Sequence, residues 1–230
     1  MSLPSEYLRR GLSDLKKASL LSLISYLMLF AMLLISLGIV TRADISEMLY
    51  DLRRIQTLLT LSGILIGFLI SLLLGLFAFY KFFTATGHFK SHDPGLGIGR
   101  IGVILELIGL ITIIIGATVF GALLSSREAY QGPPMLMETN LLALLGVLLF
   151  GAVLIVIGGV LYSVMLIRLG EIEVIDKLLK WAGILYLIGT LISLIPLINL
   201  VSVILGVVAM IILYYGCNSS LKSLDTVEMI

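Results

Sequence analysis

Residues 181–217 read WAGILYLIGTLISLIPLINLVSVILGVVAMIILYYGC, an apolar run that no charged side chain interrupts. A helix rises about 1.5 Å per residue, so a single helix over this run would far exceed the ~30 Å hydrocarbon core of a bilayer. Pro196 sits near the middle, with Leu197, Ile198 and Asn199 after it. Proline removes a helical N–H and clashes with the preceding turn, and asparagine suits a turn. The run therefore reads as a tight hairpin of two spans, 178–195 and 198–215, that turns at the far membrane surface. One kinked and strongly tilted helix, giving five spans in all, is the rival reading.

Four further apolar stretches lie upstream, at 18–40, 57–80, 101–124 and 141–167. Each is close to the roughly 20 residues a helix needs to cross the hydrocarbon core. The fold class is thus an all-α membrane protein, a bundle of about six transmembrane helices with a C-terminal helical hairpin broken at Pro196. Composition agrees. The chain is 60% hydrophobic and 13% charged, with a mean hydropathy of +1.17, whereas soluble domains carry about 25% charged residues. The first stretch is longer than the apolar region of a signal peptide and no A-x-A-like site follows it, so it is expected to stay as an anchor. The expected organisation is a cytoplasmic amphipathic segment (1–17), a six-helix transmembrane domain (18–215) and a short cytoplasmic tail (216–230).

Net charge is +1, which says nothing of partners. The placement of the basic residues says more, because Lys and Arg gather in cytoplasmic loops. With six spans, Arg9, Arg10, Lys16, Lys17, Lys81, Lys90, Arg100, Arg168, Lys177, Lys180 and Lys222 share one side, against Arg42, Arg53, Arg54 and Arg127 on the other. Both termini are predicted to face the cytoplasm, in the cell membrane. Tyr80, Tyr162, Trp181, Tyr214 and Tyr215 fall at predicted cytoplasmic helix ends, where amphipathic rings favour the headgroup region.

Three connections carry helical patterns. Residues 5–17 put Leu8, Leu12 and Leu15 on one face, with Arg9, Asp14 and Lys16 away from it, and either lie at the surface or extend the first span. Residues 44–56 begin with Asp44 and Glu47 at capping-box spacing and are predicted to extend the second span. Residues 171–180 alternate acidic and apolar positions. Residues 84–100 and 125–140 read as loops, marked by Asp93-Pro94-Gly95 and Gly132-Pro133-Pro134. No internal repeat emerges that would suit an inverted-repeat transporter.

Few residues break the apolar pattern. Gly63, Gly67, Ser71 and Gly75 recur every four residues in the second span, and Gly102, Gly109 and Gly116 every seven in the third. Small residues let backbones approach where lipid removes the hydrophobic term. They point to internal packing between neighbouring spans, with a dimer seam or a channel-facing stripe as the functional alternative. On this reading a Gly63→Leu change disrupts the fold or the assembly. Glu106 is the one acid inside a span, and it falls on the glycine face of the third. An ionised group there is costly, and such residues mark ion or proton pathways by default. The plainer reading is an interhelical hydrogen bond, or a pair with Lys81 or Arg100. His88 and His92 share the run GHFKSHDPG with Asp93. Their spacing would suit a metal on a helix, but Gly87 and Pro94 argue against helix there, so solvated loop histidines are expected. The Gly95-x-Gly97-x-Gly99 run follows no strand, which removes the context of a dinucleotide fingerprint. A helix start beside Arg100 could attract a lipid phosphate.

The sequence contains no Ser/His/Asp set, paired carboxylates, Cys-x-x-Cys or nucleic-acid signature, and the single Cys217 excludes an internal disulfide. No catalytic, cofactor-binding or metal residues are assigned, no cofactor is expected, and the chain does not read as an enzyme. The expected partners are the lipid bilayer and other membrane proteins or a second copy of the chain, without nucleic acid. The segments EYLRRGLSDLKKASLLSLISYL, GIGRIGVILELIGLI and LIPLINLVSVILG resemble an uncharacterised archaeal family of multipass membrane proteins, a domain of unknown function. The resemblance spans nearly the whole chain and implies an archaeal cell membrane, with no activity attached. The absence of chemistry beside small-residue faces favours an accessory, scaffold or assembly subunit of a membrane complex. The alternative is a small transporter or channel with Glu106 on the pathway.

Overall fold

The computed structural model describes residues 4–42, 50–125, 134–195 and 199–227. They form six α-helices: α1 (Pro4–Arg42), α2 (Tyr50–His92), α3 (Ile98–Ser125), α4 (Pro134–Leu169), α5 (Leu178–Ile192) and α6 (Asn199–Val227). No strand occurs among the described residues. Each helix packs on the next, and α6 returns to α1, so the six close into a ring in chain order. Arg9 of α1 and Asp225 of α6 form a 2.8 Å ion pair, which puts both terminal segments at one end of the bundle. We call this the terminal end; the opposite end, at which α1, α3 and α5 finish, is the far end.

Five helices are long and apolar enough to cross a membrane. The exception is α5, with 15 residues, or roughly 22 Å at 1.5 Å per residue. The expected fifth span, 178–195, therefore ends early, in turns at Ser193–Ile195. Pro196 and the tip of the hairpin lie outside the described residues. The hairpin itself is evident from its arms. Gly189 of α5 faces Ser202 and Leu205 of α6, while Gly216 of α6 faces Leu178 and Leu179 of α5, so the two run antiparallel.

Helix boundaries differ from the sequence reading at several places. Residues 84–92, read as loop, continue α2, and the turn to α3 shrinks to Asp93 and a 3-10 turn over Pro94–Gly97. The Asp93 carboxylate accepts the Gly95 N–H at 2.8 Å, and Pro94 ends the preceding helix because it has no N–H and disfavours helical geometry in its predecessor. The cap and the proline thus compress the reversal. Residues 134–140, also read as loop, begin α4; residues 126–133 lie outside the described residues, as do 43–49 of the predicted capping box. The predicted helix over 171–180 is instead a run of turns up to Lys177. There the Asp176 carboxylate accepts the Leu178 N–H at 2.9 Å and starts α5. A Cβ at Gly170 would collide with the backbone of Lys180, so only glycine permits this close return.

The N-terminal segment is the first part of α1 and runs into the span without a break. Leu8, Leu12 and Leu15 join Phe89, Leu96, Met165, Leu166, Leu169, Leu179 and Leu213 in one buried cluster at the terminal end. α6 likewise runs on past residue 215, and Leu224 packs into the same cluster. Phe89 is fully buried and covers Gly11. Tyr162, expected in the headgroup belt, is only 2% exposed and stacks edge-on between Phe82 and Tyr186. Its hydroxyl is buried without a hydrogen-bond partner among the described residues. Tyr80, Trp181 and Tyr215 are more than half exposed, as belt residues would be.

Polar clamps hold the same end. Asp14 accepts Lys81 Nζ at 2.8 Å and Thr84 Oγ1 at 3.0 Å, with His88 Nε2 at 3.8 Å. It therefore faces α2, where the sequence pattern had turned it outward. Lys16 Nζ donates to Asn218 Oδ1 at 2.7 Å and sits over the Tyr214 ring.

Candidate functional site: a central cleft around Glu106

The small residues divide between two seams. In the first, Ser25 and Ser71 exchange bonds across α1 and α2, each hydroxyl reaching the other residue's carbonyl at 3.0 Å. Gly67 packs against Met32, and Gly75 lies against the Ser25 hydroxyl. Gly63 has no neighbour where a Cβ would stand and is exposed. Among the described residues, Gly63→Leu has no contact through which to act.

The second seam joins α3 to α4. A Cβ at Gly102 would stand 2.6 Å from the Gly158 carbonyl oxygen, and one at Gly109 would stand 2.6 Å from that of Gly151. Gly116 continues the line against Leu148. Gly151 and Gly158 carry the same seven-residue spacing as Gly102 and Gly109. That spacing was the signal for the partner face, and sequence reasoning passed over it.

The α3–α4 seam carries Glu106 on its edge, next to Gly158 and Gly159. The carboxylate opens into a cleft of about 310 Å³ to which all six helices contribute. Tyr26 comes from α1, Phe79 from α2, Glu106 and Leu110 from α3, and Ile155 from α4. Tyr186, Gly189 and Thr190 come from α5, with Ser193 just beyond it, and Ser202, Val203 and Gly206 come from α6. The cleft lies beside the last turn of the short α5 and the first turns of α6, on the far-end side of the buried cluster.

Tyr186 donates its hydroxyl to Glu106 Oε1 at 3.2 Å. This is the interhelical hydrogen bond of the plainer reading, and the alternative pair with Lys81 or Arg100 is not formed. Lys81 is held by Asp14, and the Arg100 guanidinium sits 4.6 Å from the centre of the Phe83 ring. Among the described residues no Lys, Arg or His pairs with Glu106. The hydroxyls of Thr190 and Ser193 donate to backbone carbonyls of their own segment, Tyr186 and Thr190, at 2.8 and 2.7 Å. Their protons are thus committed, while their oxygens remain acceptors at the wall. Sequence reasoning missed Tyr26, Tyr186, Thr190, Ser193 and Ser202, because none is charged. Tyr186, Thr190 and Ser193 nevertheless follow i, i+4, i+7 spacing, which sets them on one helix face.

The histidines fall elsewhere. His88 and His92 lie on α2, contrary to the loop reading, and His88 faces Asp14. No group of three or more His, Cys, Asp or Glu suited to a metal occurs among the described residues. Cys217 is buried in the terminal cluster.

The family described as "Protein of unknown function (DUF973)" matches residues 9–229. The chain belongs to this family. The match covers α2 to α6 and α1 from residue 9 on, so the cleft lies wholly within the DUF973 region. A search of the curated proteins and of the solved structures found no match.

Proposed function

We propose that this DUF973 protein is a small membrane transporter or channel in which Glu106 binds the translocated cation or proton. One observation carries the reading: all six helices border a single cleft whose only charged wall group is Glu106, held by a hydroxyl and by no counter-cation among the described residues. A carboxyl kept inside a helix bundle without a basic partner is costly, and it is retained where a cation or proton visits it. The site lies among several helices, as solute sites in transporters do.

In this reading five helices cross the cytoplasmic membrane and α5, with the turns after it, forms a short sixth span, with both termini inside. The short α5 leaves the far end of the ring thin, and the cleft lies where it stops. We favour this reading over the expected accessory-subunit role because no basic side chain among the described residues pairs with Glu106. Reconstitution of the purified full chain into proteoliposomes tests the choice. A transporter loses cation or proton flux, or its pH dependence, on Glu106→Gln. A scaffold shows no flux to lose and tolerates the change apart from stability.

A further inference from the structure

The wall around Glu106 is mostly hydrocarbon and aromatic. Tyr26, Phe79 and Tyr186 bring three rings to it, and Leu110 and Ile155 bring aliphatic surface. This composition discriminates among cations. A dehydrated metal ion requires a shell of oxygens, about six to eight for Ca²⁺, or rings of carbonyls as in ion filters. Here the oxygens are one carboxylate and the scattered hydroxyls of Tyr26, Tyr186, Thr190, Ser193 and Ser202, on a wall that is otherwise apolar. The space is also large. Its volume of about 310 Å³ falls at the lower end of small-molecule pockets, roughly 300–1,000 Å³.

From this juxtaposition of one carboxylate, three aromatic rings and an apolar wall, we infer that the cleft binds a compact organic monocation of the quaternary or substituted ammonium class. Such a cation has low charge density and needs no full oxygen shell. It gains from aromatic neighbours, which recognise alkylated ammonium groups, and Glu106 balances its single charge. The inference rests on the proposed role of Glu106 and adds the class of solute.

Gly206 makes the inference testable without touching the carboxylate. It borders the cleft, and no atom lies within 4 Å of the place where a Cβ would stand. A leucine there adds bulk at the cleft wall without meeting a described atom. Gly63 offers the matched control, because it is equally unobstructed and lies outside the cleft.

The experiment is equilibrium binding of radiolabelled tetraethylammonium to the purified full chain in mild detergent, with NaCl and KCl as inorganic competitors. The expected result is saturable binding of one ion per chain that neither salt displaces beyond its ionic-strength effect. Glu106→Gln and Gly206→Leu should each weaken it by about tenfold or more, the first through loss of a buried charge partner, while Gly63→Leu leaves it unchanged. If Glu106→Gln fails to fold, Gly206→Leu decides alone. Absence of saturable binding up to roughly 10 mM, a range in which even weak sites fill, overturns the inference. So does binding that Gly206→Leu leaves intact. Persisting Glu106-dependent flux of Na⁺, K⁺ or protons in proteoliposomes would then leave the pathway reading standing and remove only the organic cation. Loss of both results removes both readings.

Discussion

The two ends of the bundle are packed by different means. At the terminal end, large side chains from all six helices interdigitate, and Leu12, Leu15, Phe89, Met165, Leu166, Leu169, Leu179 and Leu213 are fully buried. Ion pairs and amide contacts from Asp14, Lys16 and Arg9 clamp the helices around that cluster. Toward the far end the close contacts are pairwise. Ser25 and Ser71 fasten α1 to α2, and Gly109 and Gly151 fasten α3 to α4, on a seam that starts at Gly102 and Gly158 beside the cluster. Glycine seams draw two backbones together and contribute no side chain to the middle, so pairs form tightly and the centre between pairs stays open. The cleft around Glu106 follows from this change of packing mode, with no separate device needed to hold it apart.

Substitutions that treat the two modes differently can break this comparison. The largest effect is expected for Gly109→Leu, because its new side chain meets backbone and not a movable side-chain tip. No monodisperse protein should be recovered by size-exclusion chromatography, and normal recovery would remove the seam. At the terminal end, Phe89→Ala should cost about 3–5 kcal/mol, the usual range for emptying a buried aromatic site, read as a marked fall in the thermal midpoint in detergent. A midpoint within a degree of the parent would show that the cluster does not hold this end. Ser71→Ala removes one side of the α1–α2 exchange and should cost only about 1 kcal/mol, since such bonds are weak in membrane helices. A loss as large as that of Phe89→Ala would mean that the serine pair organises the far end. Gly206→Leu and Gly63→Leu should fall within about 0.5 kcal/mol of the parent, as changes that meet no described atom do. A collapse of either would place an unforeseen neighbour there.

Much of this was legible in the chain. The apolar stretches, Pro196 and the seven-residue glycine spacing of α3 all follow from bilayer thickness and helix geometry, and they point to the helices that form. Boundaries were harder. Gly87 and Pro94 suggested a loop, yet one Asp93 cap lets the helix run to His92. A glycine weakens a helix by only about 1 kcal/mol, which packing readily overrides. Glu106 stood out as an isolated acid, and an interhelical hydrogen bond was one reading of it, but the identity of the partner could not be read, because the Tyr186 phenol comes from a helix 80 residues away. Gly63 taught the converse. Periodicity placed it in a stripe with Gly67 and Ser71, but among the described residues nothing packs where its Cβ would stand.

The most direct test of the open centre uses the single buried Cys217 as an internal blank. Ser202→Cys and, at the terminal end, Ser163→Cys place one new thiol in the cleft and one in the packed cluster. Both variants, in sealed and in permeabilised membranes, are exposed to a small trimethylammonium thiosulfonate and to its sulfonate analogue. The account predicts that Ser202→Cys reacts, faster with the cationic reagent and only while Glu106 is present, and that Ser163→Cys and the parent stay silent. Equal silence at residue 202, or equal rates with both reagents, would contradict an accessible cleft governed by Glu106.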